Sequence, residues 1–484
     1  MRRYDLVVVG GGTAGLVAAL VGAGAGARVC LVERARVGGE CLWTGCVPSK
    51  SLLAAANLAQ RMRGADQVGL VPVEPKVDFG GVMGHVRAAQ ARIAPDDSPG
   101  RLRAAGVDVL DGHARFTGPG RLRVDAGDGH GGREVGWRAA LVATGSRPVL
   151  HELPGLREAD PLTSDTVWEL GELPERLLVV GGGPVGCELA QGFARLGARV
   201  TLLEAEPALL PGEEPQAGAL LAERLRGEGV ELRLAVRGRR VERDGGGFVL
   251  DAGPDGRVGF DRVLVATGRA AVTDGLGLEA VGVRTSPAGN VAVDRRLRTS
   301  APGVFAAGDV TGVLPFTQVA AYQARVAVPN ALFGLRRRAD YRAVPHVVFT
   351  DPEVAQVGLS EAAARERFGA RVRCWTFPYE RLDRAIAAGE GYGFAKLVGS
   401  PRGRLVGATV AAPAAGEAIA ELSAWIARDA RIDELSRAVH AYPTFTEGPA
   451  RAADQAVRAR WQRPAARRLT RVVLAARRLA GRRG

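Results

Sequence analysis

The sequence predicts an α/β fold, and three observations predict it. A β-branched run, Val7-Val8-Val9, enters a glycine loop, Gly10-Gly11-Gly12-Thr13-Ala14-Gly15, and leaves into the apolar run Leu16-Val17-Ala18-Ala19-Leu20. The same order recurs where Leu177-Leu178-Val179-Val180 leads into Gly181-Gly182-Gly183-Pro184-Val185-Gly186 and the helical run Cys187-Glu188-Leu189-Ala190. Beyond residue 340 a smaller segment alternates strand-like and helix-like stretches, for example at 393–398 and 418–426. The expected architecture is therefore two Rossmann-type dinucleotide-binding domains followed by a C-terminal α+β domain.

Each element of the first module has a physical reason. Gly10 makes the tight turn, Gly12 lets the backbone approach a pyrophosphate, and Gly15 lets helix and strand pack closely. Thr13 and Ala14 open the helix, whose N-terminus faces the phosphates. The following strand, Arg28-Val29-Cys30-Leu31-Val32, ends at Glu33, an acid about 20 residues after the loop that can accept hydrogen bonds from ribose hydroxyls. In the second module Gly181, Gly183 and Gly186 take the same three places, Val185 lies in the first helical turn, and the strand Arg199-Val200-Thr201-Leu202-Leu203 ends at Glu204. A carboxylate on the ribose suits NADH and repels the extra phosphate of NADPH. Arg195 and Arg199 stand nearby, so NADPH stays open as a second donor. Two dinucleotide sites in one chain are what a hydride relay needs.

The chemistry beyond the relay is suggested by Gly38-Gly39-Glu40-Cys41-Leu42-Trp43-Thr44-Gly45-Cys46-Val47-Pro48-Ser49-Lys50. Cys41 and Cys46 can form a redox disulfide; the alternative is two reduced structural thiols. Cys30, Cys187 and Cys374 read as ordinary buried thiols.

These motifs resemble the pyridine nucleotide-disulfide oxidoreductases, the class I family that includes dihydrolipoamide dehydrogenase, glutathione reductase and mercuric reductase. The resemblance runs from about residue 4 to about residue 455. It also rests on Ala143-Thr144-Gly145-Ser146-Arg147-Pro148 and its echo Ala266-Thr267-Gly268-Arg269, on Val304-Phe305-Ala306-Ala307-Gly308-Asp309, and on Phe349-Thr350-Asp351-Pro352-Glu353-Val354-Ala355-Gln356-Val357-Gly358. It implies an FAD domain at 1–150 and 269–340, an NAD(P) domain at 151–268, a dimerisation domain at 341–455 and a basic tail at 456–484. Gly10, Gly12, Thr13, Ala14, Gly15, Glu33, Lys50, Ala114, Thr144, Gly145 and Asp309 then fall to FAD. Gly181, Gly183, Val185, Gly186, Glu204 and Gly268 fall to NAD. The implied route runs from NAD(P)H through FAD to a Cys41–Cys46 disulfide, with Cys46 nearer the flavin and Cys41 the exchanging sulfur. Lys50 matches the family lysine beside the flavin, paired with Glu188.

One departure bears on the acceptor. The family's disulfide reductases carry a His-Pro dipeptide with a glutamate a few residues on, the imidazole serving the partner subunit's thiols. This chain reads Val439-His440-Ala441-Tyr442-Pro443-Thr444-Phe445-Thr446-Glu447. Glu447 is kept, but Tyr442 stands in the histidine's place, and a phenol titrating at about 10 is a poorer base at neutral pH than an imidazole at about 6.5. His440 is two residues away. The acceptor is therefore expected to be small and of three possible kinds: a disulfide, a quinone in diaphorase fashion, or a metal ion as in mercuric-type reduction.

The formal charge is +13, but residues 451–484 hold eleven arginines and one acid, so the rest of the chain is close to neutral. Leu469, Val472, Val473, Ala476 and Leu479 share one helical face beside arginines. The favoured expectation is a solvated or frayed end; the sharper one is a membrane-surface or partner-docking helix on which the flavoprotein acts. Nucleic-acid binding is not expected, since Trp461 is the lone aromatic there. No metal site is expected. With no apolar leader and only five cysteines, the expectation is a cytoplasmic protein, at most peripheral to a membrane, and the family resemblance implies a homodimer.

Overall fold

In the computed structural model, residues 2–126 and 132–480 are described, with side chains through 478. The chain divides into two compact units. The first, residues 1–63, 73–207 and 225–340, holds both glycine modules.

The first module is built on a seven-stranded sheet. Arg2–Val9 pairs in parallel with Val29–Glu33 on one side and Gly132–Val142 on the other. Val107–Asp111 extends the sheet past Val29–Glu33, and Val304–Ala306 pairs in parallel with Gly132–Val142. The antiparallel strands Arg121–Asp125 and His113–Gly118 complete it. The apolar run of the first strand is continuous because both sheet faces are covered. Leu6 and Val8 join a core with the helices Thr13–Gly24 and Thr317–Phe333, whereas Val7 and Val9 join Phe116 and Trp137 on the opposite face.

The second module is a four-stranded parallel sheet in the order Glu231–Leu234, Arg199–Glu204, Arg176–Val180, Arg262–Val265. The helix Pro184–Leu196 starts after its glycine loop and ends at Gly197, whose φ of 112° is the left-handed conformation that closes a helix. Two short antiparallel strands, Ser146–Pro148 and Arg269–Ala271, pair the sequence motif 143–148 with its echo at 266–269.

The second unit comprises residues 64–72, 208–224 and 341–484. Its five-stranded antiparallel sheet runs Pro345–Val348, Glu353–Gly358, Leu405–Ala412, Phe394–Gly399, Arg373–Pro378. The helices Ala415–Ala427 and Glu447–Trp461 supply Ile419, Leu422 and Ala452 to its core. Lys396 is buried between Glu214 and Glu361, at 2.9 and 2.7 Å. Cys374, expected to be buried, is only half-buried, because its strand is the edge of this sheet. Pro464–Ala480 is a continuous helix. Among the described residues no helix is long and apolar enough to cross a membrane.

Candidate active site

The two glycine loops have the same internal geometry. Gly10 and Gly181 have φ of 107° and 113°, and a Cβ on either would strike a carbonyl oxygen, Ala143 O at 2.3 Å or Ala266 O at 2.5 Å. A Cβ on Gly15 would sit 1.9 Å from Gly10 O, and one on Gly186 1.8 Å from Gly181 O. The middle glycines differ from these. A Cβ on Gly12 would meet nothing nearer than Gly39 Cα at 3.8 Å, and one on Gly183 nothing within 4 Å. Gly145 and Gly268 are likewise open. The helices beginning at Thr13 and Pro184 have no side-chain cap, so their first-turn N–H groups are available to an anion. An open middle glycine facing an uncapped helix start is the cradle a pyrophosphate requires, and the residues present fit FAD and a nicotinamide dinucleotide. Ala14 is buried below the loop, and Val185 is partly exposed in the first turn of the second helix. Ala114 lies buried among Val7, Phe116 and Val124, which leaves its backbone as the part able to meet a ligand.

The two terminal acids are held alike. Glu33 accepts from Gly11 N at 2.6 Å and from Ala35 N at 2.8 Å. Glu204 accepts from Gly182 N at 2.5 Å and from Glu206 N at 2.8 Å. Neither neighbouring arginine turns to Glu204. Arg195 is buried on Glu228 at 2.5 Å and Asn57 at 2.5 Å, and Arg199 pairs with Glu175.

Cys46 is the first residue of the helix Cys46–Arg63, and Cys41 lies in the short helix Gly39–Trp43 before it. The thiols are unbridged and hydrogen-bonded to one another. That bond holds Cys46 down to about 6, helped by Thr317 and by the positive charge of Lys50, while burial pushes the other way. Thr317 Oγ1 lies 3.4 Å from Cys46 Sγ and opens its own helix. Cys41 is raised by the same bond, with burial adding to it. The anion of the reduced pair therefore rests on Cys46, at a helix N-terminus that favours negative charge. Lys50 Nζ and Glu188 Oε2, 138 residues apart in sequence, meet at 2.7 Å.

The loop carrying the thiols is tied down by residues that sequence reasoning passed over. Glu40, directly before Cys41, pairs with Arg269 at 2.6 Å. Burial raises its carboxyl to about 7, against the downward pull of Arg269. Arg269 also donates to Ser146 Oγ at 2.8 Å and Ser164 Oγ at 3.0 Å, and Ser146 donates to Asp309 at 2.8 Å. Thr144 donates to Val272 O at 2.6 Å. Gln90 donates to the carbonyls of Leu42 and Trp43, and Trp168 to that of Thr44. The signal for Glu40 and Arg269 was present, an acid beside a candidate redox cysteine and an arginine closing a repeated motif. Their 229-residue separation hid the pairing.

The remaining expected residues lie in the second unit. Tyr442 is 65% exposed and donates to Asp383 Oδ2 at 2.7 Å, which raises its phenol further. His440 is held between Glu421 at 3.1 Å and Ala438 O at 3.1 Å, so two residues in near sequence take different partners. Glu447 is buried, 3.2 Å from Arg451 and within reach of Thr444 N. Tyr442 and Glu447 are not paired with each other in these bonds.

A thiol pair beside one of two dinucleotide folds defines a flavin- and nicotinamide-dependent oxidoreductase. Residues 4–324 match the pyridine nucleotide-disulphide oxidoreductase model, and residues 344–453 match the dimerisation domain of that family. The chain belongs to the pyridine nucleotide-disulphide oxidoreductase family: it is an enzyme that uses FAD and NAD(P)H, and its dimerisation domain supports a homodimer. It is 39% identical to a mercuric reductase of Streptomyces lividans, over 92% of this chain and 94% of that one. It is 38% identical to a dihydrolipoyl dehydrogenase of Thermus scotoductus, over 94% and 97%. Among solved structures, LpdA of Mycobacterium tuberculosis superposes with a TM-score of 0.85 at 31% identity, covering 94% of this chain and 99% of that one. The Cu(II) complex of the HOCl-induced flavoprotein disulfide reductase RclA of Escherichia coli gives 0.83 at 28%, covering 94% and 100%.

Proposed function

We propose that the enzyme moves electrons from NADH through FAD to the Cys41–Cys46 pair and on to a small acceptor. The observation that carries this reading is the placement of the pair, with Cys46 opening the helix that carries Lys50 and lying 3.4 Å from Thr317 Oγ1, surroundings that lower its thiol. FAD, when bound, supplies a two-electron carrier between nicotinamide and sulfur. Gly10, Gly12, Thr13, Gly15 and Glu33 would hold its adenine-nucleotide half, and Asp309, Thr144, Gly145 and Lys50 would lie toward its ring end. Gly181, Gly183, Gly186, Gly268 and Glu204 would hold NADH. Preference for NADH over NADPH is supported by the engagement of Arg195 and Arg199 elsewhere, which leaves Glu204 without a cation for a 2′-phosphate among these two.

Two electrons break the Cys41–Cys46 bond, leaving a thiolate on Cys46 and a proton on Cys41. To reduce an external disulfide, Cys41 must lose that proton and attack one sulfur, expelling the other as a thiolate. Cys46 then attacks Cys41, releases the second half of the substrate and restores the internal bond. The proton on Cys41 is where this chain departs from its disulfide-reducing relatives. Tyr442 is a phenol whose proton is held by Asp383, and it is a poor base. That favours a second reading, an acceptor needing no thiol deprotonation by a base: a quinone taking electrons directly, or a soft metal ion that displaces the thiol proton on binding.

NADH turnover with a dithiol-type disulfide and with a simple quinone, measured on the parent and on Cys41→Ser, separates the readings. Disulfide turnover lost in Cys41→Ser supports the thiol route. Quinone turnover that survives Cys41→Ser, with no disulfide turnover in the parent, removes the thiols from the main route.

A further inference from the structure

We propose that the helix Pro464–Ala480 is a docking surface for an anionic lipid bilayer, lying in the headgroup plane with its apolar side down. The helix is amphipathic. At 100° per residue, Leu469, Val472, Val473 and Ala476 share one side, Arg468 and Arg477 flank it, and Arg467, Arg471 and Arg478 lie opposite, with Leu474 among them. Among the described residues the apolar side is left open: Leu469 and Val472 are each 66% exposed, and Val473 is nearly half exposed. Apart from half-buried Ala466, every described side chain from Pro464 to Arg478 is exposed. Trp461, at the end of the preceding helix, is also exposed, and an indole is suited to the headgroup layer. The neighbouring expectation for Leu479 lies outside the described side chains.

Charge decides among the possible occupants. Residues 455–484 contain ten arginines and no acid. A second copy of this helix would set arginine against arginine. Nucleic acid would use the charge but leave Leu469, Val472 and Val473 in water. An anionic bilayer satisfies both sides at once, since the apolar row enters the acyl boundary and the long arginine stems reach back to lipid phosphates. With no described helix able to span a membrane, the contact is peripheral.

The test is flotation of the full-length FAD-loaded protein with vesicles of phosphatidylglycerol mixed with phosphatidylcholine, and with phosphatidylcholine alone. The parent is expected to float with the anionic vesicles only, and less so at high salt. Replacing Arg467 and Arg468 by Gln should weaken binding by about fivefold for each charge removed. Leu469→Ser with Val473→Ser should weaken it comparably, with NADH turnover on a soluble acceptor unchanged as proof of folding. Failure of the parent to float with anionic vesicles overturns the proposal. So does an apolar-face variant that floats like the parent, or one that falls from dimer to monomer in a protein whose parent does not float.

Discussion

The first glycine loop and the second are built alike, down to the carbonyl that a Cβ on the third glycine would strike and the pair of N–H groups that each terminal acid accepts. They differ in what surrounds the loop. After the first, the chain passes through one helix and one strand and, past Glu33, runs within a few residues into the thiol loop, which is held by Arg269, Gln90 and Trp168. After the second there is no thiol pair, only the single buried Cys187 in the first turn of its helix. Its helix carries Glu188 on one part and Arg195 on another, the first meeting Lys50 and the second Asn57, both on the helix that begins at Cys46. The two copies of the dinucleotide fold thus differ in what they carry, one bearing the thiol pair and the other bracing the helix that begins at Cys46.

The comparison can be broken most forcefully at the third glycines. Gly15→Ala and Gly186→Ala each force a backbone shift worth about 1–3 kcal/mol or more. Gly15→Ala should yield protein depleted of FAD, whereas Gly186→Ala should stay yellow and lose reduction by NADH, as read from the FAD-to-protein ratio and anaerobic bleaching. Loss of FAD from Gly186→Ala would erase the division of labour. The bracing role is sharpened by Arg195→Leu. Arg195 and Glu228 are 1% and 4% exposed, and removing one partner of a buried pair costs about 3–5 kcal/mol. A urea midpoint unchanged from the parent would show that the pair braces nothing.

The smallest effect is a titration. The Lys50 ammonium stabilises the Cys46 thiolate, and Glu188 opposes it. In the reduced protein, alkylation of Cys46 should rise with pH through about 6. Lys50→Met removes a stabilising charge, so the midpoint should move up and reactivity at neutral pH should fall. Glu188→Gln removes an opposing charge and should move the midpoint the other way. Shifts in one direction for both variants would separate the Lys50–Glu188 pair from the chemistry of sulfur.

What could be read from the sequence follows the range of the interactions. The strand–loop–helix–strand–acid order is local, and so were the glycine roles, Glu33, Glu204 and the thiol spacing. The pairing of Glu40 with Arg269 and of Arg195 with Glu228 depends on how strands are ordered in a sheet, which no local pattern carries. Cys374 was misjudged because being on a strand and being on an edge strand look alike in sequence. The amphipathic period of the C-terminal helix was local and legible, whereas what meets its exposed face is not carried by the period.

The carboxylates of Glu33 and Glu204 have a consequence for the speed of nucleotide capture. A free glutamate surrenders about 1.5–2 kcal/mol of rotamer freedom when it is fixed. Here each is fixed by two backbone N–H groups during folding. An ionised carboxylate has about four acceptor positions, so two remain for a ribose diol. In the proposed role of these acids, an arriving nucleotide would meet an acceptor already aimed, and recognition at the ribose would need no rearrangement of the carboxylate.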